Sequence, residues 1–173
     1  MSTLEGPIVE PQTGEKPKQL IIFCHGYGAD GNDLIGLSSY FQKILPNAIF
    51  MSPNAPQKCD LNPLGYQWFD FQSGDPDLIW KGVLEAASIL NSFIDEQLGK
   101  YNLSDDNLAL IGFSQGTMMS LHVGLRRKKP MRALVGFSGK LIREELLKDD
   151  LVSKPPIYLF MGNKIPWFLI KKQ

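Results

Sequence analysis

A serine between two glycines is the residue of this sequence best suited to do chemistry. Residues 112–116 read GFSQG; an apolar run, 107–113, enters them and a helix-like run, 116–128, leaves them. The pattern G-x-S-x-G between a strand and a helix is typical of a nucleophile elbow, a strained turn that exposes a serine hydroxyl. Gly112 and Gly116 would provide the room that the turn requires. The pattern therefore predicts Ser114 as a nucleophile in acyl transfer.

A second loop can stabilise the charge that such a reaction develops. Acyl transfer places negative charge on the former carbonyl oxygen, and two backbone N–H groups can stabilise it. One is expected from Gln115, the residue after the nucleophile, and one from Tyr27, in the loop after the apolar run 19–25. His25 and Gly26 are expected to shape this loop near the site.

A serine hydroxyl is a poor nucleophile without a base, and the sequence contains two histidines. His122 lies eight residues along the predicted helix from Ser114, roughly 12 Å away and beyond hydrogen-bond reach. His25 is predicted to fix the shape of its loop, with a role as base as the less favoured alternative. The acids Glu144, Glu145, Asp149 and Asp150 are predicted on an exposed helix face. No triad acid or base is identifiable.

Strand-like and helix-like segments alternate along the chain. The predicted strands are 19–25, 48–52, 107–113, 133–139 and 156–162, with a short one in 7–10. The predicted helices are 34–44, a long one starting at Asp75-Pro76-Asp77, 116–128 and 141–149, and 53–74 is a long loop. This alternation predicts one α/β domain over 1–173, a doubly wound, mostly parallel sheet with helices on both faces. Residues 1–18 are predicted to form an N-terminal arm.

The composition argues against several partners. Eighteen basic and eighteen acidic residues cancel, so no general attraction to nucleic acid is expected. No apolar stretch is long enough to span a membrane and no secretion signal is evident, which favours a cytoplasmic location. The two cysteines, Cys24 and Cys59, are predicted to be reduced thiols.

Two charged clusters have ordinary structural explanations. Asp30, Asn32 and Asp33 are predicted to cap a helix that starts near Asp33, so no metal and no cofactor are expected. The basic run 126–129 is predicted to interact with the negative end of the preceding helix; an anionic partner surface is the alternative.

Five segments resemble the phospholipase/carboxylesterase family of α/β hydrolases, which includes the acyl-protein thioesterases. They are IIFCHGYGADGNDL, PNAP, WFD, LIGFSQGTMMSLHVGL and PPIYLFMGNK. The resemblance implies an α/β-hydrolase fold, Ser114 as nucleophile and the N–H groups of Tyr27 and Gln115 as oxyanion hole. It also implies that Trp68, Phe69 and Asp70 line the substrate pocket, although simple packing of a long loop explains them as well. The implied substrate is a small-molecule or lipid acyl ester or thioester.

The sequence departs from the family pattern in two places. Thr117 stands where many relatives carry a second glycine. Ile165 stands in the place of the triad acid, 165–173 is a divergent tail, and the family's later histidine has no counterpart. We therefore expect a C-terminally truncated fold that lacks the last strand and helix, with strand 156–162 as a sheet edge open to self-association. In one hypothesis, residues 166–170 cover that edge.

Three functions stay open at this stage. The first is a serine carboxylesterase or thioesterase with an impaired site. The second is a non-catalytic remnant that binds acyl ligands or a protein partner. The third is an enzyme whose base comes from a neighbouring chain.

Overall fold

The strands of the computed structural model, which describes residues 4–161, form one main sheet and one small ribbon. The sheet contains β1 (Ile8–Val9), β2 (Gln19–Cys24), β3 (Ala48–Met51), β6 (Leu108–Phe113), β7 (Ala133–Phe137) and β8 (Ile157–Phe160). The ribbon pairs β4 (Gln57–Lys58) with β5 (Tyr66–Gln67). The strand order of the sheet is β1-β3-β2-β6-β7-β8, and every pairing is parallel except that of β1 with β3. Among the described strands, β8 therefore lies at a sheet edge.

Helices pack against both faces of the sheet, as predicted. They are α1 (Gly31–Ile35), α2 (Ser38–Phe41), α3 (Pro76–Tyr101), α4 (Gln115–Gly124) and α5 (Leu147–Asp150), with 3₁₀ turns at Asp105–Asn107 and Glu144–Leu146. Successive strand residues point to opposite faces. In β2, Leu20 and Ile22 thus join a core with α3 and α4, whereas Ile21 and Phe23 join a second core with residues of α1 and α2.

The sheet register brings three strand ends together. Cys24 at the end of β2 pairs with Gly112 in β6, and Gly112 also pairs with Gly136 in β7. The loops that follow β2, β6 and β7 therefore leave from one edge of the sheet, where ligands bind in doubly wound folds.

The long helix begins where its sequence signal predicts. The Asp75 carboxylate accepts hydrogen bonds from the N–H groups of Asp77 (2.9 Å) and Leu78 (3.5 Å), and Pro76 is the first helical residue. The helix ends at Asn102, whose φ of 56° is left-handed, a conformation that asparagine tolerates better than most residues. No helix in the described part of the chain is long and apolar enough to cross a membrane.

The predicted helix over 34–44 was wrong in its length. The chain forms two short helices with a break at Gly36 and Leu37, and the side chains of Leu37 and Ile44 are exposed instead of joining an apolar face. The first helix begins at Gly31 because the Asp30 carboxylate accepts the N–H of Asn32 at 2.8 Å. The cap is therefore Asp30, and the helix starts earlier than expected.

The helix predicted over 116–128 also ends early, at Gly124. Arg126 donates to the carbonyl of His122 in the last turn (3.2 Å), in agreement with the prediction that the basic run interacts with the negative end of this helix. Arg127, in contrast, is buried and donates to Asn91 (2.6 Å), Asp95 (2.7 Å) and Asp105. Arg127 joins α3 to the turn before β6. Its burial in this cluster of ion pairs explains the residue without an anionic partner.

Two further expectations can be compared with the structure. The four acids at 144, 145, 149 and 150 are exposed, as predicted. The long loop over 53–74 is less irregular than expected, because the β4–β5 ribbon lies within it. Ile165 and the divergent tail lie outside the described residues.

Candidate active site

Ser114 lies at the tip between β6 and α4 in a backbone conformation that a non-glycine residue rarely adopts. Its φ is 50° and its ψ is −114°. Its neighbours must be small, because a Cβ on Gly112 would lie 2.5 Å from the amide nitrogen of Thr117, and one on Gly116 would lie 2.6 Å from the carbonyl oxygen of His25. Strain of this kind costs about 1–3 kcal/mol and is concentrated at functional sites.

Two N–H groups beside Ser114 are available to an external acceptor. Gln115 is the first residue of α4, so its N–H has no acceptor within the helix, and the positive end of the helix lies here. The N–H of Tyr27 has no acceptor in the described part of the chain, whereas the next two N–H groups, of Gly28 and Ala29, donate to Tyr66 (2.9 Å) and Gly26 (3.2 Å). The pairing of β2 with β6 brings the two loops to the same edge.

His25 is fully buried and both of its ring nitrogens are occupied. Nδ1 is 2.7 Å from the carbonyl oxygen of Gly26, and Nε2 accepts the N–H of Ala55 at 2.9 Å. This pattern defines a neutral ring that donates from Nδ1. Burial lowers its pKa below the ordinary 6.5, although the Gly26 carbonyl and the charges of Asp30 and Asp33 oppose the change. Both bonds agree with a loop-shaping role for His25, which stays a prediction.

The Gln115 side chain connects the elbow to the WFD segment. It is fully buried; its oxygen accepts the N–H of Trp68 at 2.8 Å and its amide donates to the carbonyl of Phe69 at 2.7 Å. The Trp68 indole then donates to the carbonyl of His25 at 3.0 Å. Sequence reasoning assigned Gln115 only a backbone role, since nothing local in the sequence indicates a contact across 47 positions.

The WFD segment contributes to the core more than to an open surface. Trp68 and Phe69 have no exposed surface, and the Asp70 carboxylate accepts the N–H of Gln72 at 2.7 Å. The predicted contact of these three residues with substrate is untested. Phe71, which sequence reasoning missed, is 40% exposed and its ring lies 5.9 Å from that of Tyr27. The signal available was an aromatic residue that directly follows the WFD segment.

A pocket of about 460 Å³ includes Met118, from the first turn of α4, in its lining. Its apolar lining is Phe71, Pro76, Ile79, Met118, Leu141 and Ile142, and its charged rim is Lys140, Arg143, Glu144 and Glu145. Met118 is one helical turn from the nucleophile and its N–H donates to the Ser114 carbonyl at 3.2 Å. A pocket of this volume with an apolar wall suits a small apolar group.

Thr117, the departure from the family's glycine, has a structural role. Its hydroxyl donates to the carbonyl of Phe137 at 2.9 Å and accepts the N–H of the same residue at 3.0 Å. The threonine fits because Gly136 and Gly139 carry no side chain, and a Cβ on either would crowd it. It fixes the end of β7 against the first turn of α4.

His122 lies far along α4 from the nucleophile. It is 3% exposed, its ring centroid is 5.3 Å from that of Trp80, and its Nδ1 has no hydrogen-bond partner in the described part of the chain. Burial, together with the charge of Arg126, lowers its pKa from 6.5 to about 4. It is an ordinary side chain of the helix, as predicted.

The described residues provide no obvious place for a metal or a disulfide. No group of three or more histidine, cysteine or acidic side chains within 4–161 could hold a metal ion. Cys24 and Cys59 are both buried and free, and burial raises the pKa of the Cys24 thiol to about 12.

Comparisons with known proteins identify the family. A model described as phospholipase/carboxylesterase matches residues 5–167. Acyl-protein thioesterase 1 of Emericella nidulans is 25% identical over 178 residues, which cover 94% of this chain and 71% of that protein. Acyl-protein thioesterase 1 of Schizosaccharomyces pombe is 30% identical over 130 residues, 70% of this chain and 55% of that protein.

Solved structures agree with this match. Esterase PE8 superposes with a TM-score of 0.87 at 36% identity, covering 92% of this chain and 75% of that one. Arabidopsis thaliana SOBER1 has a TM-score of 0.70 at 24% identity, which shows a shared fold. The family model spans most of the chain and the esterase match is close in both sequence and structure. The chain therefore belongs to the phospholipase/carboxylesterase family.

Proposed function

We propose that this chain acts on carboxylic esters or thioesters through an acyl intermediate on Ser114. The observation that carries the proposal is the strained backbone of Ser114 at the β6–α4 elbow. The N–H groups of Gln115 and of Tyr27, in the loop at the same sheet edge, have no acceptor in the described part of the chain. The family match supports ester hydrolysis, because the family is described as phospholipase/carboxylesterase.

The reaction follows from the geometry of the site. Ser114 Oγ attacks the acyl carbon, its proton passes to a water molecule that returns it to the departing alcohol or thiol, and the carbonyl oxygen becomes an oxyanion. The N–H groups of Tyr27 and Gln115 donate to that oxyanion, which is where such donors contribute most to catalysis. The acyl group occupies the pocket lined by Phe71 and Met118. Expulsion of the alcohol or thiol leaves an ester on Ser114, and water then releases the acid.

The weak step is removal of the serine proton. The sequence has two histidines: His25 uses both nitrogens inside the loop, and His122 lies far along α4. In a serine triad, loss of the base costs on the order of 10⁴–10⁶ in turnover, while the oxyanion hole and binding leave about 10³–10⁴ over water. We therefore propose that these 173 residues alone hydrolyse esters slowly, and faster only if a second chain supplies the base.

Fluorophosphonate labelling tests the proposal. We expect slow labelling of the intact chain that Ser114→Ala abolishes. Ser138→Ala is the matched control, because Ser138 is an accessible serine with a φ of 52° that directly follows the adjacent strand, β7. Labelling that survives Ser114→Ala, or that never occurs on Ser114, would contradict the proposed nucleophile.

The same assay separates the remaining alternatives. A labelling rate per molecule that rises with protein concentration would indicate a base from a second chain. No labelling, combined with saturable binding of a non-hydrolysable acyl thioether, would favour a non-catalytic acyl-binding protein. A partner-binding remnant would show neither.

A further inference from the structure

We propose that the Gln115 side chain is a positioning residue that sets the relation between the two halves of the oxyanion hole. This inference rests on the proposed function. The backbone N–H of Gln115 is one predicted donor, and Tyr27 provides the other from a loop almost ninety positions earlier in the sequence. Some structure must hold the two donors at one separation, because an oxyanion hole works only when both reach the same oxygen.

Besides the β2–β6 ladder, the described residues contain a continuous buried connection through side chains between the two donors. It starts at the Gln115 side chain, which holds the backbone of Trp68 and Phe69 by bonds of 2.8 and 2.7 Å. The Trp68 indole donates to the carbonyl of His25 at 3.0 Å, and His25 is two residues before Tyr27. Because Gln115, Trp68 and His25 are all fully buried, water cannot replace these bonds at low cost.

The same connection holds the Tyr27 loop from its other side. The His25 ring accepts the N–H of Ala55 at 2.9 Å and contacts the Gly26 carbonyl at 2.7 Å through Nδ1. Gly28 donates to the carbonyl of Tyr66 at 2.9 Å, two residues before Trp68. Residues 66–69 therefore touch both the elbow and the loop, and the Gln115 side chain is their only hydrogen-bonded attachment to the elbow within the described residues.

The test compares Gln115→Met, which keeps the length of the side chain and removes both bonds, with Gln97→Met. Gln97 is also a buried glutamine, but it lies on α3 and donates only to its neighbour Glu96 (3.4 Å). For fluorophosphonate labelling, we expect Gln115→Met to lower the maximal rate about 10-fold and to change the half-saturating concentration less than twofold. The expected loss of rate is smaller than the 10²–10³-fold loss typical of deleting an oxyanion-hole donor, because the substitution displaces the N–H of the hole and does not remove it. Gln97→Met should change neither value.

A second substitution tests whether the connection acts as a unit. Trp68→Phe removes the indole N–H and keeps an aromatic ring, so it breaks the same connection one step further along. We expect a similar loss of maximal rate, and a double variant no slower than the worse single variant, because residues in one network are not additive. The proposal would be overturned if the losses of the two single variants multiplied in the double variant. It would also be overturned if Gln115→Met had the same maximal rate as the wild type.

Amide hydrogen exchange gives a result that does not depend on catalysis. If the connection exists, Gln115→Met accelerates exchange at the Gly28 and Ala55 amides, which the substituted side chain does not touch. If acceleration is confined to Trp68, its direct partner, the positioning role is wrong. If the wild type is never labelled at Ser114, the proposed function fails, and exchange alone still decides whether Gln115 holds the Tyr27 loop.

Discussion

The two histidines of the chain lie near opposite ends of α4, in two regions that differ in their packing and hydrogen bonding. The elbow region comprises His25–Tyr27, Trp68 and Ser114–Gly116; in it the carbonyl of His25 faces Gly116 in the first turn, and both ring nitrogens of His25 are paired. The α3–α4 face comprises Trp80, Ser88, Asn91, His122 and Arg126. In it the Nδ1 of His122 is buried and has no hydrogen-bond partner among residues 4–161.

The two regions differ in how closely their backbones pack and in how their histidine rings are paired. In the elbow region, backbone approaches backbone at distances that no side chain would allow, and buried polar side chains complete the contacts. Beside the α3–α4 face, a groove of about 270 Å³ remains between the helices, lined in part by His122, Ser88 and Asn91. Close backbone packing accompanies the residues proposed to react, so substitutions in the two regions should have unequal costs.

The largest expected effect is that of Gly116→Ala. Its Cβ would overlap the carbonyl groups of Cys24 and His25, which are backbone atoms that cannot turn aside. We expect the free energy of unfolding to fall by about 4 kcal/mol or more, in the range of the most damaging single substitutions. Urea unfolding followed by circular dichroism measures it.

The matched control is Gly99→Ala on α3. A Cβ there meets nothing within 4 Å, so the substitution should stabilise the helix by about 0.5–1 kcal/mol. Equal unfolding midpoints for the two variants would contradict the proposed difference in packing.

The elbow region also shows which parts of the site a sequence can predict. The short pattern around Ser114 and the buried run 19–25 were sufficient for the elbow, the adjacent loop and the mostly parallel sheet, because each depends on local spacing. The break at Gly36 was missed because the spacing of the apolar residues in 34–44 does not take account of a glycine among them. The β4–β5 ribbon was missed because the composition of 53–74 is loop-like. The Gln115–Trp68 contact was missed because its partners are 47 positions apart.

His25→Phe should have the second largest effect. The substitution keeps an aromatic ring but leaves the N–H of Ala55 and the carbonyl of Gly26 unpaired in a buried site. Each unpaired group costs about 1–3 kcal/mol, so we expect a loss of about 4 kcal/mol in total. A urea unfolding curve that matches the wild type would show that water restores both bonds.

The pH dependence of stability should reflect the titration of His122 on the α3–α4 face. The pKa of His122 is about 4 in the folded chain and near 6.5 when unfolded, because burial and the charge of Arg126 outweigh the opposite effect of Asp150. Between these values the unfolded chain binds a proton that the folded chain does not, so stability is lost as the pH falls from 6.5 to 4. The loss is on the order of 3 kcal/mol.

His122→Phe should remove this part of the pH dependence. His25 and the carboxylates are the same in both proteins, so the difference between the wild-type and variant unfolding curves isolates His122. Identical slopes between pH 4 and pH 6.5 would mean that folding leaves the pKa of His122 near its ordinary 6.5.

The smallest effect expected is that of His122→Phe at pH 7, and it has the opposite sign to that of His25→Phe. The phenyl ring can keep the edge-on contact with Trp80, now at a centroid distance of 5.3 Å. The substitution also removes a buried nitrogen that has no partner within the described residues. We expect the free energy of unfolding to rise by about 1 kcal/mol, since the desolvation of that nitrogen is no longer required. His122→Ala, which leaves a cavity, should instead lower it. If His122→Phe proved as damaging as His25→Phe, Nδ1 would have to be paired in solution, and the two regions would be matched equally well.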